Sequence, residues 1–143
     1  MQAADRVRSE AGLDIELPWE VGQAAEKGDL PFLTEWLEGG GHPDAREWDY
    51  QATPLMFACT GGSAAAVDLL VKHGAALDLV DQGGATALMC AAGGGFLECV
   101  RSLLLAGANA NVRDKVGMHA LLVAEYNGHT EVVQLVSDYY TPA

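Results

Sequence analysis

Positive charge is scarce in this chain: Lys and Arg together number 8 against 20 Asp and Glu, for a formal net charge of -12. A protein that grips a phosphate backbone needs a basic stripe to release counterions. None is present, so nucleic acid is not an expected partner. Long apolar runs are missing too. None approaches the ~18 residues needed to span a bilayer, and no membrane insertion is expected. The opening MQAADRVRSEAGLDIEL has neither the apolar core of a secretion signal nor the freedom from acids of an import sequence. A soluble intracellular protein is expected, cytoplasmic or nuclear, with an organelle lumen as the alternative.

Cysteine is sparse and unpatterned. Cys59, Cys90 and Cys99 are an odd number without C-x-x-C spacing, which predicts buried core thiols in a reducing compartment. His42, His73, His119 and His129 lack the paired spacing of a zinc site, so no metal is expected. The glycine runs at 39–41 and 93–95 are not phosphate loops, because no strand precedes them and no Gly-Lys-Ser/Thr follows. No Ser, His and Asp set stands at a defensible spacing. The chain reads as a non-enzyme with no catalytic residues and no cofactor.

What the chain has in abundance is repetition. Ala58, Ala91 and Ala124 are 33 residues apart, as are Gly62, Gly95 and Gly128, and Val67, Val100 and Val133. TPLMFACTGG, TALMCAAGGG and HALLVAEYNG open three units, and VDLLVKHGAALD and VRSLLLAGANAN close the first two. A degenerate copy precedes them at residues 24–44, offset by 34 from the unit that follows. One extra residue therefore sits between Asp44 and Thr53. Thr53 followed by Pro54 suits a helix start, and a glycine stops each helix. Val67, Leu70, Val71 and Val100, Leu103, Leu104 mark the buried stripe of a second helix. Helix, turn, helix and a loop of about a dozen residues make one unit, and such units leave water only by stacking.

The period and the T-P-L-H-x-A signature resemble those of ankyrin repeats, over residues 17–139. Met56, Met89 and Leu122 replace the histidine of that signature, so apolar packing is expected there, and His119 stands in the place of Thr. The resemblance implies an all-α solenoid of stacked helix-turn-helix units with finger-like connecting loops. An N-terminal arm over 1–16 would precede one domain over 17–143, with repeats at about 17–48, 49–80, 81–113 and 114–140. Trp19, Phe32 and Trp36 are expected to seal one end of the stack, and Tyr139 and Tyr140 to cap the other.

Function then lies on the surface, since such solenoids generally bind macromolecules along a concave groove of loop tips and first helices. Carried over position by position, the partner-binding candidates are Trp48, Asp49, Tyr50, Ala52, Gln82, Gly83, Ala85, Lys115, Val116, Met118, Tyr126 and Asn127. Glu26, Lys27, Thr60, Gly61, Gly93 and Gly94 lie on the helix rows beside them. The glycines make the middle of the groove bare, and aromatic side chains stand at its ends. Residues 1–50 hold 12 acids against 4 bases, a net of -8 that leaves -4 for the rest. Such a field suits a basic or amphipathic protein partner. The leading expectation is a protein-binding adaptor or a subunit of a larger complex. The alternative is a carrier or chaperone-like factor that holds a hydrophobic or amphipathic client segment.

Overall fold

The computed structural model describes residues 15–142. Most of the arm over 1–16, with the acids Asp5, Glu10 and Asp14, lies outside the described residues. Among the described residues the chain forms eight α-helices: α1 (Trp19–Lys27), α2 (Leu30–Glu38), α3 (Pro54–Gly61), α4 (Ala64–Lys72), α5 (Ala87–Gly94), α6 (Leu97–Ala106), α7 (Ala120–Tyr126) and α8 (Thr130–Ser137). They make an all-α stack of four helix pairs.

The starts of α3, α5 and α7 follow from side-chain chemistry. Thr53 accepts a hydrogen bond from the Met56 amide and Thr86 from the Met89 amide, each at 3.3 Å. In the last repeat the Nδ1 of His119 does the same for the Leu122 amide at 3.3 Å. Each bond satisfies one of the amides that a helix leaves free at its N-terminus. The first helices of the middle repeats end where Gly62 and Gly95 turn left-handed, at φ 75° and 73°, a conformation glycine adopts without a Cβ penalty.

The main packing runs from neighbour to neighbour. α1, α3, α5 and α7 form one row, each on the next, and α2, α4, α6 and α8 form the second. Val67, Leu70, Val100, Leu103 and Leu104 are buried between them while Val71 is half-buried. Each fully buried Leu contributes about 1.5–3 kcal/mol by leaving water. Met56 and Met89 are buried too, so apolar packing replaces the histidine of the repeat signature, but Leu122 in the last repeat is exposed. Polar bonds join the repeats as well. Asp44 accepts from the Ala76 amide at 2.8 Å, Asp78 from Asn109 at 2.9 Å, and Asn111 from Thr141 at 2.9 Å.

The ends differ from expectation. Trp19 is 65% exposed and Phe32 is exposed as well, whereas Trp36 is half-buried and packs on Gly41. The cause is helical phase. Trp19 lies two residues before the buried Val21, about 200° round the helix, while Trp36 lies three after the buried Leu33 and shares its face. At the other end Tyr140 stacks on His119 with ring centroids 4.2 Å apart, and Tyr139 stays exposed.

Candidate functional site

Each finger loop is built round one carboxylate. Asp81 accepts from the amides of Gly83 and Ala85, both at 2.9 Å, and Asp114 accepts from Val116 at 3.0 Å and Met118 at 2.9 Å. Backbone bonds from Asp81 N to Ala85 O and from Asp114 N to Met118 O close the same two loops. In the first finger the closure runs from Glu47 N to Ala52 O, one residue longer. The longer side chain of Glu47 spans the difference and accepts from the amides of Asp49 at 2.9 Å, Ala52 at 3.1 Å and Tyr50. Gln51, at φ 63°, takes the left-handed position held by Gly84 and Gly117 in the other fingers. The extra residue implied by the repeat register between Asp44 and Thr53 is accommodated in this loop.

Neighbouring fingertips are tied in register. The Gln82 amide donates to the Tyr50 carbonyl at 2.8 Å and the Lys115 amide to the Gly83 carbonyl at 3.0 Å. Four of the candidate residues thus form one backbone ladder across three fingers. Tyr50 on this ladder is 69% exposed; Val116, next to Lys115, is 83% exposed, and Tyr126, outside the ladder at the end of α7, 86%. Asp49, Gln82, Gly83 and Lys115 are also exposed. Ala52, Ala85 and Met118 are half-buried at the points where the fingers close. Asn127 is exposed, but its amide donates to the Val123 carbonyl at 2.8 Å at the end of α7.

The bare floor has partly internal causes. A Cβ on Gly61 would stand 1.9 Å from the Glu26 carbonyl oxygen, and one on Gly94 2.3 Å from the Phe96 ring. Both positions are small because the chain approaches closely there. Gly83 differs, since a Cβ would meet nothing nearer than Asp81 Oδ1 at 3.5 Å.

Trp48 belongs to a different setting from the ladder. Together with Glu16, Leu17, Pro18, Trp19, Glu47 and Asp49 it lines an open cleft of about 400 Å³ between the first finger and the segment that enters α1. That segment is anchored by bonds from Leu17 N to Arg46 O at 2.8 Å and from Arg46 N to Ile15 O at 2.7 Å. Sequence reasoning assigned Trp19 to the end seal and so missed it here. The available signal was Pro18, which puts Trp19 in the first turn of α1, opposite the buried stripe.

The cysteines divide. Cys59 and Cys99 are buried, whereas Cys90 is only half-buried, a departure from the expectation of three core thiols. Burial pushes the Cys99 thiol up to about 11 and the Cys59 thiol well above its ordinary value. Burial also raises the Cys90 thiol, opposed by a hydrogen bond with Thr60. None is held as the thiolate that nucleophilic chemistry requires. The histidines serve separate structural ends: His42 accepts from the Asp44 amide at 3.0 Å, His73 contacts the Leu69 carbonyl at 3.0 Å, and His129 the Gly93 carbonyl at 3.0 Å. Among the described residues no three His, Cys, Asp or Glu gather to hold a metal, and no helix is long and apolar enough to cross a membrane.

Stacked helix pairs with registered, projecting fingers define a repeat solenoid whose exposed side chains are presented on a rigid frame, the architecture of a protein-interaction module. The family model for ankyrin repeats matches residues 21–114 with three copies, and the chain belongs to the ankyrin-repeat family. No curated protein sequence matches the chain. The α7–α8 pair lies beyond the matched span yet continues both helix rows.

Proposed function

We propose that this chain is a non-catalytic adaptor, or a small subunit of a larger complex, that binds a basic or amphipathic partner protein along its fingertip row. The observation that carries the reading is the ladder from Tyr50 through Gln82 and Gly83 to Lys115. It holds the backbone of three fingertips in one register before a partner arrives, so little backbone entropy remains to be lost there on binding. Aromatic anchors of this kind bury much area for few frozen torsions. The net charge of -12 favours a basic partner and an on-rate that falls with salt.

The test begins with affinity capture from the native cell and identification of the partner by mass spectrometry, followed by titration of the purified pair. Tyr50→Ala with Tyr126→Ala removes two exposed rings without touching the core and is expected to weaken binding at least tenfold, or about 1.4 kcal/mol. Changing the outer-row residues Asp68, Lys72 and Arg101 is expected to leave binding within about twofold. The reverse pattern would put the partner on the outer face and sink the proposal. Full affinity for an isolated short hydrophobic segment would favour the carrier reading instead.

A further inference from the structure

We propose that His119 is a pH-operated latch on the end of the stack: its neutral ring holds residues 139–142 against the last repeat, and its protonation lets them go. Such a latch is independent of where a partner binds. The repeats differ at this point. Thr53 and Thr86 cap α3 and α5 with hydroxyls that do not titrate between about pH 5 and about pH 8, whereas α7 is capped by an imidazole, the side chain that does. That ring is only 3% exposed, and two contacts depend on it at once. Its Nδ1 accepts from the Leu122 amide at 3.3 Å, and its face stacks on Tyr140 with ring centroids 4.2 Å apart and the planes at 28°.

The held segment is rooted on α8, where the amides of Tyr139 and Tyr140 donate to the Val136 carbonyl. Beyond that root its ties are weak. Thr141 donates its amide to Asn111 Oδ1 at 2.9 Å, and the Tyr140 hydroxyl accepts from Arg113 Nη2 at a long 3.4 Å. The two equivalent rungs further back end on the carboxylates of Asp44 and Asp78. A neutral amide accepts about half as strongly, so the last rung is the weakest of the three. Burial opposes protonation of the ring most, Arg113 on the finger strand adds to that, and Glu125 on α7 works the other way. α5 and α8, both packed on α7, bring only Cys90 and Glu131 as titratable side chains. In the third finger Asp114 Oδ1 is taken by the Val116 and Met118 amides, and Lys115 is exposed, as are Asp138 and Tyr139. An imidazolium here has lost its acceptor, lies beside a guanidinium and regains water only when Tyr140 moves off its face. Cation attraction to the tyrosine ring works against release, but it is small beside the lost cap and the desolvated charge. In the released state the ring protonates at about pH 6.5. Each pH unit from there down to the lower held value therefore raises the ratio of released to held segment about tenfold.

The full chain, labelled with 15N and 13C, is titrated by NMR from about pH 7.5 to about pH 5. One midpoint below about 6.5 is expected, shared by the His119 ring, the Leu122 amide, the Tyr140 ring protons and the Thr141 amide, whose heteronuclear NOE falls on release. The Met56 and Met89 amides, capped by threonine, are the internal reference and should not follow that midpoint. In His119→Thr, which keeps a capping oxygen, the Leu122 and Thr141 signals should no longer respond to pH. Tyr140 and Thr141 signals that stay in place while His119 takes up its proton would overturn the proposal. So would a ring still neutral at about pH 5, or loss of the Met56 and Met89 signals at the same midpoint, which means that the whole stack unfolds. A Thr141 response with the same midpoint in His119→Thr would sink it as well. All but the last are read on the unaltered chain, so the test stands even if the variant fails to fold.

Discussion

His119 joins a helix start to the end of the array. Its Nδ1 accepts from the Leu122 amide, which only a ring unprotonated at that nitrogen can do, and its face stacks on Tyr140. Burial lowers its pKa, the Arg113 guanidinium lowers it further, and Glu125 opposes them. The sign of the pH effect follows. Above the unfolded value of about 6.5 the ring is neutral in both states and its contribution is complete. As pH falls through 6.5 towards the lower native value, the unfolded chain takes up a proton that the native chain resists, and stability drops. The urea midpoint is therefore expected to fall between about pH 7.5 and about pH 5.5. His119→Thr, which restores the capping group of Thr53 and Thr86, should fall less over the same interval. An equal fall in both proteins would show that the ring is not the source.

At the scale of the helix, small residues that look alike in the chain separate into two kinds. Gly61 lies where α3 meets the backbone of α1, and a methyl group there collides with a carbonyl that cannot swing aside. Gly61→Ala is expected to force the two helices apart at a cost of about 1–3 kcal/mol. Gly83→Ala, with open space round its Cβ position, should stay within about 0.5 kcal/mol of the parent. Thermal unfolding of the two variants measures the difference. Many helix ends were legible because they have a local cause: a Thr oxygen or a His nitrogen for the first amides of α3, α5 and α7, and a glycine that turns left-handed after each of α1 to α7. The reasons for Gly61 and for Trp19 were not. Gly61 answers to a carbonyl 35 residues away in the chain, and the exposure of Trp19 depends on its phase relative to Val21 in a helix only 9 residues long. The first finger was half legible. The repeat register disclosed its extra residue, but the longer carboxylate of Glu47 that spans it becomes evident only beside Asp81 and Asp114.

Across the whole molecule, stability is shared along a line of interfaces rather than concentrated in one centre. Leu103→Ala in the middle of the second-helix row is expected to cost about 2–5 kcal/mol. Chemical denaturation should show the loss as a lower midpoint, and an unchanged midpoint would mean that the buried stripe of Val100, Leu103 and Leu104 is not what holds α6 in place. The same linear order governs how the molecule can be made. The main helix contacts all lie within one repeat or between neighbouring repeats, so their closure spans few residues, which costs little entropy and favours fast folding. A chain leaving the ribosome can therefore complete the interface between the α1–α2 and α3–α4 pairs before the codons for α7 have been read. Each later pair can then add to a stack begun by the repeats before it.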